Sequence, residues 1–229
     1  MRIAELFYSI QGEGKLMGVP SVFVRVSGCN LRCVWCDTPY ASWNPEGQEV
    51  RVAEIVDRVS AFRASHVVIT GGEPMIMPDL AELCEGLKGQ DYHITIETAG
   101  TVFEPVKVDL ASVSPKLANS TPTLREEGRF ARVHEEHRLN VKAIQKFIDN
   151  SPEIQLKFVV SDPGDMAEIH EVLGKLQRWL PGDVLLMPEG TERETLDSRS
   201  GWISEACKRE GYRFCPRLHV MLYGNRRGT

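Results

Sequence analysis

The chain has 229 residues, 42% of them apolar and 26% charged, and its 27 Lys and Arg against 32 Asp and Glu leave a net charge of −5. That length suits one domain spanning 1–229, and the apolar share is enough for a buried core. The acidic balance excludes global attraction to nucleic acid or to an anionic membrane surface, and no apolar run approaches the roughly 18–20 residues of a membrane span. Met1 leads straight into folded-looking sequence without the apolar core of a signal peptide. Six cysteines, three of them clustered, argue against a secreted disulfide scaffold and for a reducing cytoplasm.

In chain order, residues 3–10 read as a short strand opening into Gln11-Gly12-Glu13-Gly14, where two glycines in four residues permit unusual backbone angles and close approach to a ligand. Ser21–Ser27 alternates β-branched and aromatic residues and reads as a strand that delivers Gly28 and Cys29 at its C-terminal end. Arg25 lies inside it, a charge that is costly there unless paired; it is either structural, an edge-facing arginine or an ion pair, or an anion receptor inside a barrel. Residues 39–51 read as loop. Val52, Ile55, Val56, Val59 and Phe62 recur at helical spacing over Val52–Phe62. His66–Thr70 is a short apolar strand leading to Gly71-Gly72-Glu73-Pro74, and a helix from about Pro78 to Leu87 follows, with proline tolerated in its first turn.

Strands are expected over Tyr92–Glu97 and Val106–Leu110. Residues 118–136 are polar without a period and read as a mobile excursion. Leu139, Val141, Ile144, Phe147 and Ile148 form one face of a helix over Arg138–Ile148. Ile154–Val160 is a strand, Asp165–Leu180 a helix, Val184–Met187 a strand and Ser198–Glu210 a helix; Tyr212–Cys215 and Arg217–Tyr223 close the chain. This alternation predicts an α/β fold with a parallel sheet. Cys29, Gly71, Glu97 and Ser114 all follow strand ends, as at the working face of a barrel, but eight full βα units take about 250 residues.

The stretch from Cys29 to Thr38 carries three cysteines, Cys29, Cys33 and Cys36, within eight residues. So short a segment can wrap one ion or one cluster. Soft thiolates favour zinc, copper(I) or iron–sulfur clusters. Structural zinc sites close at four ligands, and no second Cys-x-x-Cys exists: Cys84, Cys207 and Cys215 stand alone, and His219 is the nearest late candidate. Spacing alone leaves zinc and iron–sulfur both open.

Cys-x3-Cys-x2-Cys resembles the cluster motif of the radical S-adenosylmethionine enzymes. The flanking strings are similar to one family among them, the 7-carboxy-7-deazaguanine synthases: Phe7 to Gly14, Val22 to Asn30, Cys36-Asp37-Thr38, Thr70 to Pro74, Glu97 to Thr101 and Ser114-Pro115-Lys116, in family order over about half the chain. The resemblance implies a partial, open TIM-like barrel of about six parallel strands with short N- and C-terminal additions. It implies that Cys29, Cys33 and Cys36 hold a [4Fe-4S] cluster whose fourth iron binds S-adenosylmethionine. Trp35, Cys36, Asp37, Gly72, Glu73, Ser114, Pro115 and Lys116 would contact that cofactor, with Lys157 and Val160 along the adenosine pocket. Glu73 could meet the cofactor's ammonium or hold its own turn.

The implied substrate is 6-carboxy-5,6,7,8-tetrahydropterin. Arg25 suits its carboxylate, because a guanidinium makes paired hydrogen bonds to one. Ile10, Gln11, Gly12, Glu13, Thr70 and His219 are the other substrate candidates, and Thr38 is the implied Mg²⁺ ligand. A homodimer and a reductant such as flavodoxin are implied as well. Ten residues follow His219, whereas some family members end sooner and use a terminal carboxylate near the substrate. The competing readings are a radical enzyme that activates a partner's glycine, and a zinc or electron-transfer module without catalysis.

Overall fold

The computed structural model describes residues 1–229. Nine strands form one sheet: β1 (Arg2–Ile10), β2 (Pro20–Val26), β3 (Gln48–Glu49), β4 (His66–Gly71), β5 (His93–Thr98), β6 (Leu110–Val113), β7 (Glu153–Val160), β8 (Val184–Pro188) and β9 (Arg213–Phe214). Their order is β3-β1-β2-β4-β5-β6-β7-β8-β9. From β2 to β9 every neighbouring pair is parallel, and β1 runs antiparallel to both β2 and β3. The sheet is therefore open. Its six longer parallel strands, β2 and β4 to β8, form the expected partial barrel. The helices are α1 (Val52–Ser60), α2 (Leu80–Lys88), α3 (Ala131–His137), α4 (Val141–Asn150), α5 (Asp165–Gly174), α6 (Arg193–Glu210) and α7 (Leu218–Tyr223). None is long and apolar enough to cross a membrane.

Successive strand residues face opposite sides of a sheet. On one side Val22, Val24, Val67, Ile69, Ile94, Ile96, Leu156 and Phe158 join helix residues such as Ile55, Leu83, Ile144, Ile169 and Ile203 in an apolar core of 40 buried residues. Each such side chain contributes about 1.5–3 kcal/mol on burial, so this jacket stabilises the fold. The other side is left free to be polar. Arg25, Thr70, Glu97, Ser112, Ser114 and Lys157 line a cavity there. At the strand starts, Ser21, His66 and Thr95 form a buried chain. Ser21 donates its hydroxyl to Val19 O (2.8 Å), so His66 Nδ1–H donates to Ser21 Oγ (2.7 Å) and His66 Nε2 accepts from Thr95 Oγ1 (2.8 Å). Every polar atom of that chain is satisfied, as burial requires.

Four expectations are corrected. The strand placed at Val106–Leu110 begins at Leu110, because Asp109 turns its carboxylate onto Ile94 N (2.7 Å) and Lys88 Nζ (2.9 Å) just before pairing starts. The helix expected over Asp165–Leu180 stops at Gly174, and Arg178 takes a left-handed φ of 64°. The last long helix starts at Arg193, five residues earlier than Ser198, over a polar stretch with little amphipathic signal. Residues 118–136 are not a loose excursion. They hold 3₁₀ turns at Ala118–Ser120 and Arg125–Gly128, then α3, and His134 is buried.

Candidate active site

Parallel pairing of β2 with β4, Val26 opposite Gly71, brings the ends of both strands side by side. Gly28 N donates to Ala41 O (2.9 Å), Gly72 N to Val26 O (3.2 Å) and Glu73 N to Gly28 O (2.8 Å). A Cβ on Gly72 would stand 1.9 Å from Gly28 O and 2.6 Å from Ala41 O, so only glycine fits between these backbones. Glu73 is fully buried. Its carboxylate accepts from Thr98 Oγ1 (2.7 Å), Ala99 N (2.8 Å) and Met75 N (3.0 Å). These bonds brace the turn, in keeping with one of its two expected roles.

Cys29, Cys33 and Cys36 face the same cavity, packed with Leu31, Ala99 and Trp35. Burial pushes the Cys29 thiol up to about 11 and that of Cys33 to about 12. They stay protonated until a cation arrives, and a bound metal deprotonates a coordinating thiol outright. Three thiols from one short loop on one cavity supply the soft ligands that an iron–sulfur cluster would take.

The loop is braced from behind. Trp43 Nε1 donates to Cys33 O (3.0 Å), and the Arg125 guanidinium lies 3.8 Å over the Trp43 ring. Val34 N donates to Ser120 O (2.8 Å), and Trp35 Nε1 to Asn119 O (3.1 Å). His134 Nδ1 accepts from Arg32 N (3.1 Å), which leaves the proton on Nε2 to reach Ser120 Oγ (2.9 Å). Each contact comes from Trp43 or from residues 118–136.

The cavity is about 500 Å³, within the range of small-molecule sites. Arg25 donates Nε to Glu5 Oε1 (2.7 Å), and its terminal nitrogens make no hydrogen bond within the chain. Glu97 accepts from Gln11 Nε2 (3.2 Å) and Thr70 Oγ1 (2.8 Å). Lys157 pairs with Glu13, Arg217 with both Glu13 (3.1 Å) and Asp37. Burial alone would raise the Glu13 pKa, but Lys157 and Arg217 outweigh it and hold the carboxyl far below the usual range. His219 packs so tightly on Gly12 that a Cβ there would lie 2.1 Å from its Nδ1. A second, more open groove of about 630 Å³ between β1 and α1 contains no cysteine and none of Gly12, Gly71 or Gly72.

The structure gathers most of the expected residues around this one cavity: Ile10, Gln11, Gly12, Glu13, Arg25, the three clustered cysteines, Trp35, Asp37, Thr38, Thr70, Gly72, Ser114, Lys116, Lys157 and His219. Pro115 is buried without lining it, and Lys116 Nζ bonds back to Ser114 O and Oγ (2.8 Å each). Val160 is corrected: it faces the helix layer as part of the apolar core, because it alternates with the inward Val159. Arg217 was given no role by the sequence. Glu97 was expected at the working face, as a residue that follows a strand end, but no role was assigned to it; its place two residues after Thr95 on an inward strand face puts its carboxylate in the cavity. Residues 225–229 also line the cavity, and Arg227 sits 4.1 Å over the Tyr40 ring.

The sequence profile of the Radical SAM superfamily matches residues 23–152. A 7-carboxy-7-deazaguanine synthase from Rhodopirellula baltica is 44% identical over 99% of this chain and 88% of its own length. One from Halobacterium salinarum is 46% identical over 97% and 90%. The crystal structure of QueE from Escherichia coli, 24% identical, superposes with a TM-score of 0.70 over 95% of this chain and 94% of that one, a likeness of fold.

Proposed function

Because the chain belongs to the radical S-adenosylmethionine superfamily and, within it, to the 7-carboxy-7-deazaguanine synthases, we propose that it contracts the ring of 6-carboxy-5,6,7,8-tetrahydropterin to 7-carboxy-7-deazaguanine with loss of ammonia, in queuosine biosynthesis. The observation that carries the reading is the pairing of three cluster-type thiols with a half-buried arginine in one cavity. When bound, the [4Fe-4S] cluster and S-adenosylmethionine supply a 5′-deoxyadenosyl radical for hydrogen abstraction.

The chain's own part is to hold, orient and exclude water. Cys29, Cys33 and Cys36 hold three irons. The bare backbone at Gly71-Gly72 lets the methionine end of the cofactor approach, with Trp35, Asp37, Ser114 and Lys116 around it. The terminal nitrogens of Arg25 take the substrate carboxylate as a bidentate pair, while Glu5 holds the guanidinium from its Nε side. Glu97, positioned by Gln11 and Thr70, accepts from the donor edge of the pterin. Thr38 offers a hydroxyl to Mg²⁺, which completes its shell with substrate oxygens and water. A cytoplasmic homodimer reduced by a protein such as flavodoxin completes the reading.

Anaerobic turnover of reconstituted protein with the carboxypterin tests it. Deazapurine and ammonia in equal amounts are expected; neither product with an intact cluster would reject the assignment. Arg25→Lys keeps the charge but loses the fork, so substrate KM rises about tenfold or more, the scale of one charge-assisted hydrogen bond, while S-adenosylmethionine still binds.

A further inference from the structure

Arg217 stands just before α7 with 7% of its side chain exposed. Its guanidinium has three partners from three separate places. Nε donates to Glu13 Oε1 (3.1 Å) in the turn after β1, Nη1 to Gly190 O (2.6 Å) after β8, and Nη2 to the carboxylate of Asp37, next to Cys36. Asp37 has no other hydrogen-bond partner, whereas Glu13 also has Lys157. Two acids and two bases make the group neutral; Glu13, Lys157 and Arg217 are the buried members and Asp37 the more exposed one, so removing Arg217 leaves the Glu13–Lys157 pair without its third charge and Asp37 without a partner. Among the side-chain hydrogen bonds, Arg217 alone joins the cysteine loop to the Gln11–Gly14 turn. Only a planar fork with several fixed donors can do this; a lysine is a single point of charge.

We propose that Arg217 is a positioning residue that orders the cofactor-binding loop and the substrate-binding turn as one unit, a role that rests on the assignment of those two segments given above. Neither segment is held in place by the sheet alone: Asp37 lies in a loop after β2, and Glu13 in a turn after β1. The bridge makes the order of each depend on the other. His219, two residues on, rests on Gly12 and adds a second contact on the same side.

Hydrogen exchange on the apoprotein, with Arg217→Lys and Arg217→Met, tests this without any turnover. In both variants, amides of 29–38 and of 11–14 should exchange together, at least about tenfold faster, the scale of a lost hydrogen bond to a charged group. Strands β4 and β5 should keep their native protection. After reconstitution, iron should leave to a chelator faster, and KM for S-adenosylmethionine and for the pterin should rise together. Unchanged exchange in 29–38, or loosening of one segment without the other, overturns the proposal. Should Arg217→Met fail to fold, Arg217→Lys carries the test, and its failure to fold would make Arg217 a general structural residue and overturn the proposal too. Because the exchange arm needs no pterin, loosening of both loops in a protein that makes no deazapurine would uphold Arg217 and reject only the reaction.

Discussion

At single residues, the site is built on close approaches that admit no side chain. Gly72 separates two backbones whose carbonyls, Gly28 O and Ala41 O, are held by hydrogen bonds from Glu73 N and Gly28 N. Gly72→Ala should therefore cost about 1–3 kcal/mol from overpacking and abolish cofactor binding; a normal melting curve with retained S-adenosylmethionine affinity would show that the gap is not needed. Gly12 differs, because its neighbour is a side chain, the His219 ring together with its Cβ. Gly12→Ala should push His219 and the start of α7 away from the turn, lowering stability by about 1–3 kcal/mol and reducing kcat/KM by about 100-fold, as expected for a misplacement near 1 Å. Arg25 was legible in the sequence as a charge inside an apolar strand, yet its two readings proved compatible. It has an ion pair, to Glu5 at 2.7 Å, and still turns its terminal nitrogens to the cavity. Arg217 was not legible, since its partners lie 27 to 204 positions away and no local period announces them.

At the level of elements, the parallel strands were readable because their outward residues are consistently apolar and their ends carry glycine-rich strings. The 118–136 segment was misread for a physical reason. It is anchored by side-chain and loop hydrogen bonds, to Arg32, Val34 and Trp35, and those leave no hydrophobic period. His134→Ala removes the acceptor of the half-buried Arg32 N–H, worth about 0.5–1.5 kcal/mol. For a chain of this size that lowers Tm by roughly 2–4 °C per kcal/mol. Reconstituted His134→Ala should lose iron faster than the wild type under chelator; an equal loss rate would show that α3 does not brace the cysteine loop.

For the whole molecule, an apolar jacket supports a polar interior, and the interior makes stability pH-dependent. Burial depresses the His66 pKa to about 4, and His93 beside it adds to the effect. An unfolded histidine titrates near 6.5. Between those values the unfolded chain holds a proton that the native state excludes. The unfolding free energy is thus full above about pH 6.5 and falls as pH drops toward 4, by up to about 3 kcal/mol from this group. Urea unfolding of the apoprotein at pH 7 and pH 5 should show the loss, and His66→Gln should reduce it; an identical slope in both proteins would assign it elsewhere.

The proposed chemistry starts from three thiolates that hold a cluster with one corner free for a sulfonium cofactor. Electron paramagnetic resonance of the anaerobically reconstituted, reduced protein, with and without S-adenosylmethionine, tests it most directly. A [4Fe-4S] signal that changes when the cofactor is added is expected. Bound zinc with no cluster signal, or a cluster spectrum indifferent to the cofactor, would contradict it.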